Sequence, residues 1–241
     1  MKILGIDTTT KFLCLGVYDD ERVYEYNLEA GVKLSSLLSV TIKRVLDALG
    51  WHIGDIDYFA CGLGPGSFTG MRVGLATIKG LSWSLKRPIV GISTLDILAR
   101  NALGVSASIA PLIDAKRGLI YCSIYKTKNG TLKRIAPYML LNENELLKKV
   151  PKNTVVLADA VSLYKENISR KIKGVKILDK DYWYPQGRHI IALALERIKE
   201  KKFGYAFDVE PIYLYPKECQ IRGHHVTTSQ GHQSSPRHPL G

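Results

Sequence analysis

Near the N-terminus, apolar and polar positions first alternate along the chain and then recur at helical spacing. The alternation predicts three short strands, at residues 2–7, 12–18 and 22–28, joined by tight turns. Between residues 34 and 49 the apolar side chains fall three and four positions apart, which is the period of a helix that buries one face. Gly50 is a typical residue to end such a helix.

The same reasoning extends to the rest of the first half. A strand at residues 58–63 leads into a glycine-rich loop and a long apolar helix that ends near residue 86. A strand at residues 89–92 follows, and Ser93 or Thr94 caps the next helix. The order is therefore three strands, a helix, a strand and a helix, then one more strand and helix. Such an order is typical of an α/β fold.

The second half repeats this order in a shorter, less regular form. A strand at residues 109–113 ends at Asp114, and a hairpin at Asn129–Gly130 joins strands at residues 119–126 and 131–138. The remaining predicted elements are helix, strand, helix, strand and helix, at residues 143–150, 154–158, 161–172, 175–178 and 187–202. This pattern predicts a duplicated α/β fold whose second copy is partly decayed.

The chain divides into three parts on this pattern. We predict an N-terminal lobe at residues 1–105, a truncated C-terminal lobe at residues 106–219 and a tail at residues 220–241. The tail holds four of the six histidines, and its polar composition cannot bury a core. A metal-binding tract is one interpretation of these histidines. A disordered tail, or one added in cloning, is the preferred interpretation.

Composition narrows the class of protein. The 241 residues include 46% hydrophobic and 23% charged residues, as in ordinary globular proteins, and no apolar run is long enough to cross a membrane. We see no signal peptide, and the four cysteines are scattered, so we expect a cytoplasmic protein. The net charge of +12 suits nucleic acid, but the cations are spread, and solvated faces are the preferred interpretation.

The most specific segment is the loop Gly64–Gly74, which contains four glycines and one proline. Ser67 or Thr69 can cap the helix that follows, and such a junction can bind an anion. The loop matches neither the Walker A motif nor the dinucleotide-binding motif, because it lacks the lysine of the first and has Ser67 at the third glycine of the second. Close packing of a helix on a sheet and binding of a ligand both remain open.

The residues of this loop resemble the signature of the TsaB family. The one difference is Met71, which stands where the family usually has leucine. Further similarity lies at Ile6–Thr8, Pro88–Leu95, Asp114–Arg117 and Pro211–Leu214, so that the resemblance spans residues 1–219. Tyr215 replaces an arginine that is usual in the family.

The resemblance implies a two-lobe actin/hexokinase/Hsp70-like (ribonuclease-H-like) fold with duplicated lobes. It implies a non-catalytic scaffold that binds and stabilises TsaD in bacterial synthesis of tRNA N6-threonylcarbamoyladenosine. Other implied partners are a TsaE-type ATPase, a second copy of the chain as a homodimer, and tRNA indirectly or weakly. No membrane, no metal and no cofactor of its own are expected, although ATP could lie at an interface of the complex.

Eight residues are candidates for contact with a nucleotide or another anion. Asp7 ends a strand and could hold hydrated Mg²⁺, but β-branched Thr9 stands where the superfamily has glycine, so a purely structural turn is favoured. Asp114 and its neighbouring cations form either an anion contact or an exposed ion pair. The full set is Asp7, Thr8, Thr9, Ser67, Thr69, Asp114, Lys116 and Arg117.

Catalysis by the chain alone is disfavoured. The TsaD family holds its metal with a His-x-x-x-His pair, whereas His52 and His189 are isolated in this sequence. Ser67 has no nearby histidine in the sequence and no nucleophile-elbow motif. An ATP-dependent small-molecule kinase that uses Asp7 and Asp114 remains an alternative, and a peptidase is a weaker one.

The first two predicted helices have wide apolar faces, which either cover the sheet or bind a partner. The sequence leaves this open, and the resemblance to the TsaB family favours an interface with TsaD. The residues predicted to bind the partner are Leu34, Leu37, Leu38, Thr41, Ile42, Val45, Met71, Arg72, Val73, Leu75 and Ile78.

Overall fold

The computed structural model describes residues 1–105, 107–128 and 130–215. Its first half forms a five-stranded sheet in the order β3-β2-β1-β4-β5. β2 is antiparallel to both β1 and β3, whereas β4 and β5 run parallel to β1. The elements are β1 (Ile3–Asp7), β2 (Phe12–Tyr18), β3 (Val23–Glu29), α1 (Leu34–Ala48), β4 (Tyr58–Gly62), α2 (Phe68–Leu85), β5 (Ile89–Ile92) and α3 (Thr94–Ala99).

The second half builds a sheet with the same strand order, β10-β7-β6-β11-β12, to which a β8–β9 hairpin is added. The predicted duplication of the α/β fold is therefore present in the topology. The elements are β6 (Ser108–Lys116), β7 (Leu119–Cys122), β8 (Tyr125–Lys128), β9 (Thr131–Arg134), β10 (Met139–Asn142), α4 (Glu143–Lys149), β11 (Thr154–Leu157), α5 (Ala160–Lys171), β12 (Lys176–Ile177) and α6 (Gly187–Lys199).

Two predictions for the second half were wrong in detail. The strand predicted at residues 131–138 ends at Arg134, because the chain bends before Pro137, and β10 then pairs with β7 in the way that β9 pairs with β8. The strand expected to end at Asp114 continues to Lys116, with a shift of register between these two residues. Asn129 of the predicted turn and residues 216–241, which include the predicted tail, lie outside the described part of the chain.

The third helix of each half packs on the sheet of the other half. Leu95 and Leu98 of α3 join the core under β6, whereas Ile190 and Ile191 of α6 pack on the first sheet. Gly16 makes the second contact possible, because a Cβ there would overlap the carbonyl oxygen of Gly187. The division into lobes at residues 105 and 106 stays a prediction, but α6 lies on the sheet of the N-terminal part.

Two further local predictions are confirmed. Cys14, Cys61 and Cys122 are buried in the strands, where they pack as small apolar side chains. Ser67 is the residue that caps α2, since its hydroxyl accepts a hydrogen bond from the Gly70 N–H at 3.2 Å. No helix in the described ranges is long and apolar enough to cross a membrane.

Candidate functional site

At the turn between β1 and β2, both oxygens of the Asp7 carboxylate accept hydrogen bonds from other groups of the protein. Asp7 Oδ1 accepts from the Thr9 N–H and the Thr9 hydroxyl, each at 2.8 Å, and Oδ2 accepts from the Thr94 hydroxyl at 2.8 Å. Burial raises the pKa of the Asp7 carboxyl, and these hydrogen bonds oppose that shift. Asp7, Thr8 and Thr9 have almost no exposed surface in this conformation, and their role as ligand contacts stays a prediction. The structural-turn interpretation is the one that the contacts support.

The glycines of the Gly64–Gly74 loop bring α2 against this turn. A Cβ at Gly66 or Gly70 would overlap the carbonyl oxygen of Thr9 or Thr8, and a Cβ at Gly74 would overlap the Thr8 hydroxyl. The Ser67 N–H donates to the Thr9 carbonyl at 2.6 Å, and Thr8 Oγ1 donates to the Gly70 carbonyl at 2.8 Å. Of the two interpretations left open for this loop, close packing therefore accounts for these three glycines.

A cleft of about 780 Å³ separates the β1–β2 turn and the start of α2 from the β6–β7 turn. It brings together five of the eight candidate anion contacts. Thr69 is exposed but does not line the cleft. The five that line it are Thr9, Ser67, Asp114, Lys116 and Arg117.

The β6–β7 turn repeats the hydrogen bonding of the β1–β2 turn. Asp114 Oδ1 accepts from the Lys116 N–H at 2.8 Å, just as Asp7 accepts from Thr9, two residues on. Asp114 Oδ2 binds the Lys116 ammonium at 2.5 Å, and this contact raises the pKa of the lysine. Asp159 Oδ1 accepts from the Asp114 N–H at 2.9 Å. This second turn thus remains open to the cleft, with its carboxylate engaged by a lysine.

The cleft also contains functional groups that the sequence reasoning missed. Lys11 lies just after the first turn, and Phe68 and Tyr213 add exposed aromatic surface. Arg72 stacks on Phe68, with the guanidinium carbon 3.8 Å from the ring centroid. The position of Lys11 next to the run of hydroxyl residues was a signal for it, whereas Tyr213 is brought in by a contact distant in sequence.

The structure divides the predicted partner surface on α1 and α2 by exposure. The side chains of seven of its eleven residues are largely buried in the monomer, where they pack under the first sheet or against the loops, so at most a small part of each could meet a partner. These are Leu34, Leu38, Thr41, Ile42, Met71, Leu75 and Ile78. Leu37, Val45 and Val73 are half-buried and Arg72 is exposed, which leaves them available.

Other side chains make the exposed side of these two helices apolar. Trp83 on α2 is 69% exposed and Val40 on α1 is 47% exposed. A separate groove of about 370 Å³ runs between the two helices and the loop after α1, lined by Leu46, Trp51 and Leu81 among others. We call this region, comprising the groove with Leu37, Val40, Val45, Val73 and Trp83, the α1–α2 surface.

The described residues show no group of three His, Cys, Asp or Glu side chains placed to hold a metal. His52 is exposed, and His189 is half-buried on α6. Burial, together with the positive charges of Arg100 and Arg188, lowers the pKa of His189 to about 4. His189 is therefore a neutral packed side chain.

Comparison with known proteins gives consistent matches. A family model described as TsaD, tRNA N6-adenosine threonylcarbamoyltransferase, matches residues 29–185. The tRNA threonylcarbamoyladenosine biosynthesis protein TsaB of Bacillus subtilis is 33% identical over 172 residues, which cover 70% of this chain and 75% of the relative. The protein of the same name from Escherichia coli is 26% identical over 220 residues, covering 89% and 94%.

Solved structures agree on the fold. YeaZ from Pseudomonas aeruginosa has a TM-score of 0.76 and 23% identity, and the match covers 88% of this chain and all of that one. A second Pseudomonas aeruginosa protein, described as similar to peptidase YeaZ, has a TM-score of 0.79 and 22% identity over 89% of this chain and 99% of that one. Together with the repeated strand order, these matches confirm the predicted fold class.

Proposed function

The chain belongs to the TsaB family of tRNA threonylcarbamoyladenosine biosynthesis proteins, and we propose that it serves this synthesis as a non-catalytic subunit that binds a TsaD-type protein. The α1–α2 surface is the proposed contact. The observation that carries this proposal is that two neighbouring helices expose the apolar side chains of Trp83 and Val40 and also border an apolar groove. Such a patch is typical of a surface that another protein covers.

The hydrogen bonding of Asp7 in the β1–β2 turn supports the non-catalytic part of the proposal. A kinase of this fold would need Asp7 to hold a metal or to meet a phosphate, but every oxygen of that carboxylate is engaged by threonine side chains and backbone. Opening the turn would break buried hydrogen bonds to both Thr9 and Thr94. The kinase alternative is therefore disfavoured, and no contact in the described residues favours the peptidase.

Reconstitution tests the function. Modification of tRNA is measured with the TsaD and TsaE proteins of the source organism, the threonylcarbamoyl-adenylate synthase, ATP, threonine and bicarbonate, with and without this chain. We expect modification to depend on the chain, while the chain alone turns over no ATP. Modification that proceeds equally well without it, or ATP hydrolysis by the purified chain, would overturn the proposal.

Surface variants test the proposed contact. Trp83→Glu and Val40→Glu place a charge on the α1–α2 surface without disturbing the core, so we expect both to lose TsaD binding and to keep the melting temperature. Leu163→Glu is the matched control, because Leu163 is 61% exposed on α5, away from this surface. Binding that survives both α1–α2 changes, or that is lost equally in the control, would contradict the assignment.

The predicted association with a TsaE-type ATPase and with a second copy of the chain remain predictions. Sedimentation of the chain alone and with each partner measures both. If the homodimer uses the same surface, Trp83→Glu will give a monomer and TsaD will compete with self-association.

A further inference from the structure

Three segments of the second half carry cations and no acidic residue. Residues 123–142, 146–158 and 167–178 contain four, three and four lysines or arginines, whereas every aspartate and glutamate of the chain lies elsewhere. All of these cations are exposed, and none makes an ion pair with any residue in the described ranges. The positive charge of each segment is therefore unbalanced by its neighbours.

The fold brings these segments together at one end of the second sheet. Ser108, at the start of β6, pairs with Lys126 of β8 on one side and with Thr154 of β11 on the other. The Asn153 N–H donates to the Lys173 carbonyl at 2.9 Å, which joins the loops before β11 and β12. This end lies about 26 Å from the cleft, because the cleft residues of β6 stand at the opposite end of that nine-residue strand.

The β8–β9 hairpin presents three lysines on its exposed face. Lys126 and Lys133 stand directly opposite each other in the ladder, and Lys128 lies two residues on, on the same face. The other face, which includes Tyr125 and Leu132, packs into the core. Like charges directly opposite each other destabilise a pair of strands. Because these lysines lack ion pairs within the described ranges, an anionic ligand is what would offset their repulsion.

Helix dipoles account for only part of this charge. Cations in the last turn of a helix are favourable, which explains residues 148–149 of α4 and 170–171 of α5. Three lysines of the hairpin and two of the loops lie outside the helices, so their clustering needs another reason. We call these five residues the lysine surface: Lys126, Lys128, Lys133, Lys152 and Lys173.

The lysine surface suits a polyanion that is bound through its backbone. Ile135 is the one large apolar side chain that the three segments expose among the described residues. A membrane surface, which takes up apolar side chains, and unstacked bases, which need aromatic rings, therefore find little to contact. RNA helices are recognised largely through phosphates and 2′-hydroxyl groups, and lysines supply the sequence-independent part of such binding.

From this arrangement we propose that the lysine surface binds the sugar–phosphate backbone of tRNA. The proposal rests on the proposed function only in its choice of tRNA among RNAs. The lysine surface belongs to the second half of the chain and the α1–α2 surface to the first, so the two contacts use different residues. The subunit would then hold the tRNA as well as the TsaD-type protein.

Fluorescence anisotropy of a labelled, unmodified tRNA transcript, titrated with the full chain alone, tests the surface. We expect binding whose affinity falls steeply as the salt concentration rises from about 50 to about 200 mM. Lys126→Gln/Lys133→Gln should weaken it about tenfold and reduce the slope of log affinity against log salt by about 2, or about one for each lost phosphate contact. The same variant should keep or raise the melting temperature, because it removes the pair of like charges.

Lys199→Gln/Lys201→Gln is the matched control, since both lysines are exposed, lie outside the three segments and change the net charge equally. Equal weakening in the control, or no binding at about 100 µM protein in about 150 mM salt, would overturn the proposal. Binding to vesicles that contain phosphatidylserine, dependent on Lys126 and Lys133 but without binding to tRNA, would overturn it as well. Because this assay contains no TsaD, its failure would leave the proposed function standing wherever modification still depends on the chain.

Discussion

Two glycines on α2 should respond in opposite ways to the same substitution. Gly74 faces the β1–β2 turn, where an added Cβ would overlap Thr8 Oγ1 and lie 3.4 Å from Thr8 Cβ. Gly80 lies on the same helix, and an added Cβ there meets nothing within 4 Å. Because both positions are inside one helix, the gain in helix propensity from alanine, about 1 kcal/mol, is common to the two variants.

The difference between the variants therefore measures the close approach. At Gly74 the Thr8 side chain must move, which breaks its buried hydrogen bond to the Gly70 carbonyl and costs about 1–3 kcal/mol. Overpacking adds about 1–3 kcal/mol. We expect Gly80→Ala to stabilise the fold by up to about 1 kcal/mol, and Gly74→Ala to be less stable than Gly80→Ala by about 2–6 kcal/mol.

Urea unfolding followed by tryptophan fluorescence and circular dichroism provides the measurement. The double variant Gly74→Ala/Thr8→Ala removes the hydroxyl that the new methyl group meets, so its free energy of unfolding should exceed the value expected from adding the two single effects. Equal stability of Gly74→Ala and Gly80→Ala, or strict additivity in the double variant, would show that the close packing of α2 on the turn has been misjudged.

Three other expectations follow from buried groups. Asp7→Asn replaces an acceptor that faces three donors, and it should lower the free energy of unfolding by about 1–3 kcal/mol, measured by urea titration. Leu38→Ala, at a side chain only 1% exposed, should cost about 2–5 kcal/mol, while Trp83→Ala stays within about 0.5 kcal/mol of the parent, so thermal melts will separate core from surface. The pKa of His189 is lowered from 6.5 to about 4 in the folded state, so its contribution to stability is present above pH 6.5 and is lost as the pH falls towards 4; His189→Gln should flatten that part of the stability profile.

Most of the fold could be predicted from the sequence, because the spacing of apolar residues within a segment indicates whether it forms a helix or a strand. The bounds of β2 and β5 match the prediction, and α1 differs by one residue at its end. β10 was missed because Met139–Asn142 is a short apolar run with no alternation, and its pairing with β7 is decided by the sheet rather than by the segment.

The site was harder to predict because its meaning depends on contacts between distant residues. Gly70 and Gly74 are as compatible with a phosphate loop as with close packing until Thr8, more than sixty residues earlier, is seen to fill the space. Hydrophobicity likewise could not separate Leu38, which faces the core, from Val40, which faces outward, since both belong to one apolar helix.

The two turns of the duplicated fold place an aspartate at the same position but surround its carboxylate with different groups. Asp7 and Asp114 make the same hydrogen bond to the backbone two residues on, at 2.8 Å in both cases. In the first turn, the hydroxyl groups of Thr9 and Thr94 also donate hydrogen bonds to the carboxylate. Gly62 lets β4 approach so closely that no space is left beside the Asp7 carboxylate. In the second turn, the other carboxylate oxygen, Oδ2 of Asp114, binds the Lys116 ammonium, so the negative charge of the aspartate is paired with a positive one. The groups around each aspartate, rather than the aspartate itself, thus decide whether its oxygens could meet a ligand.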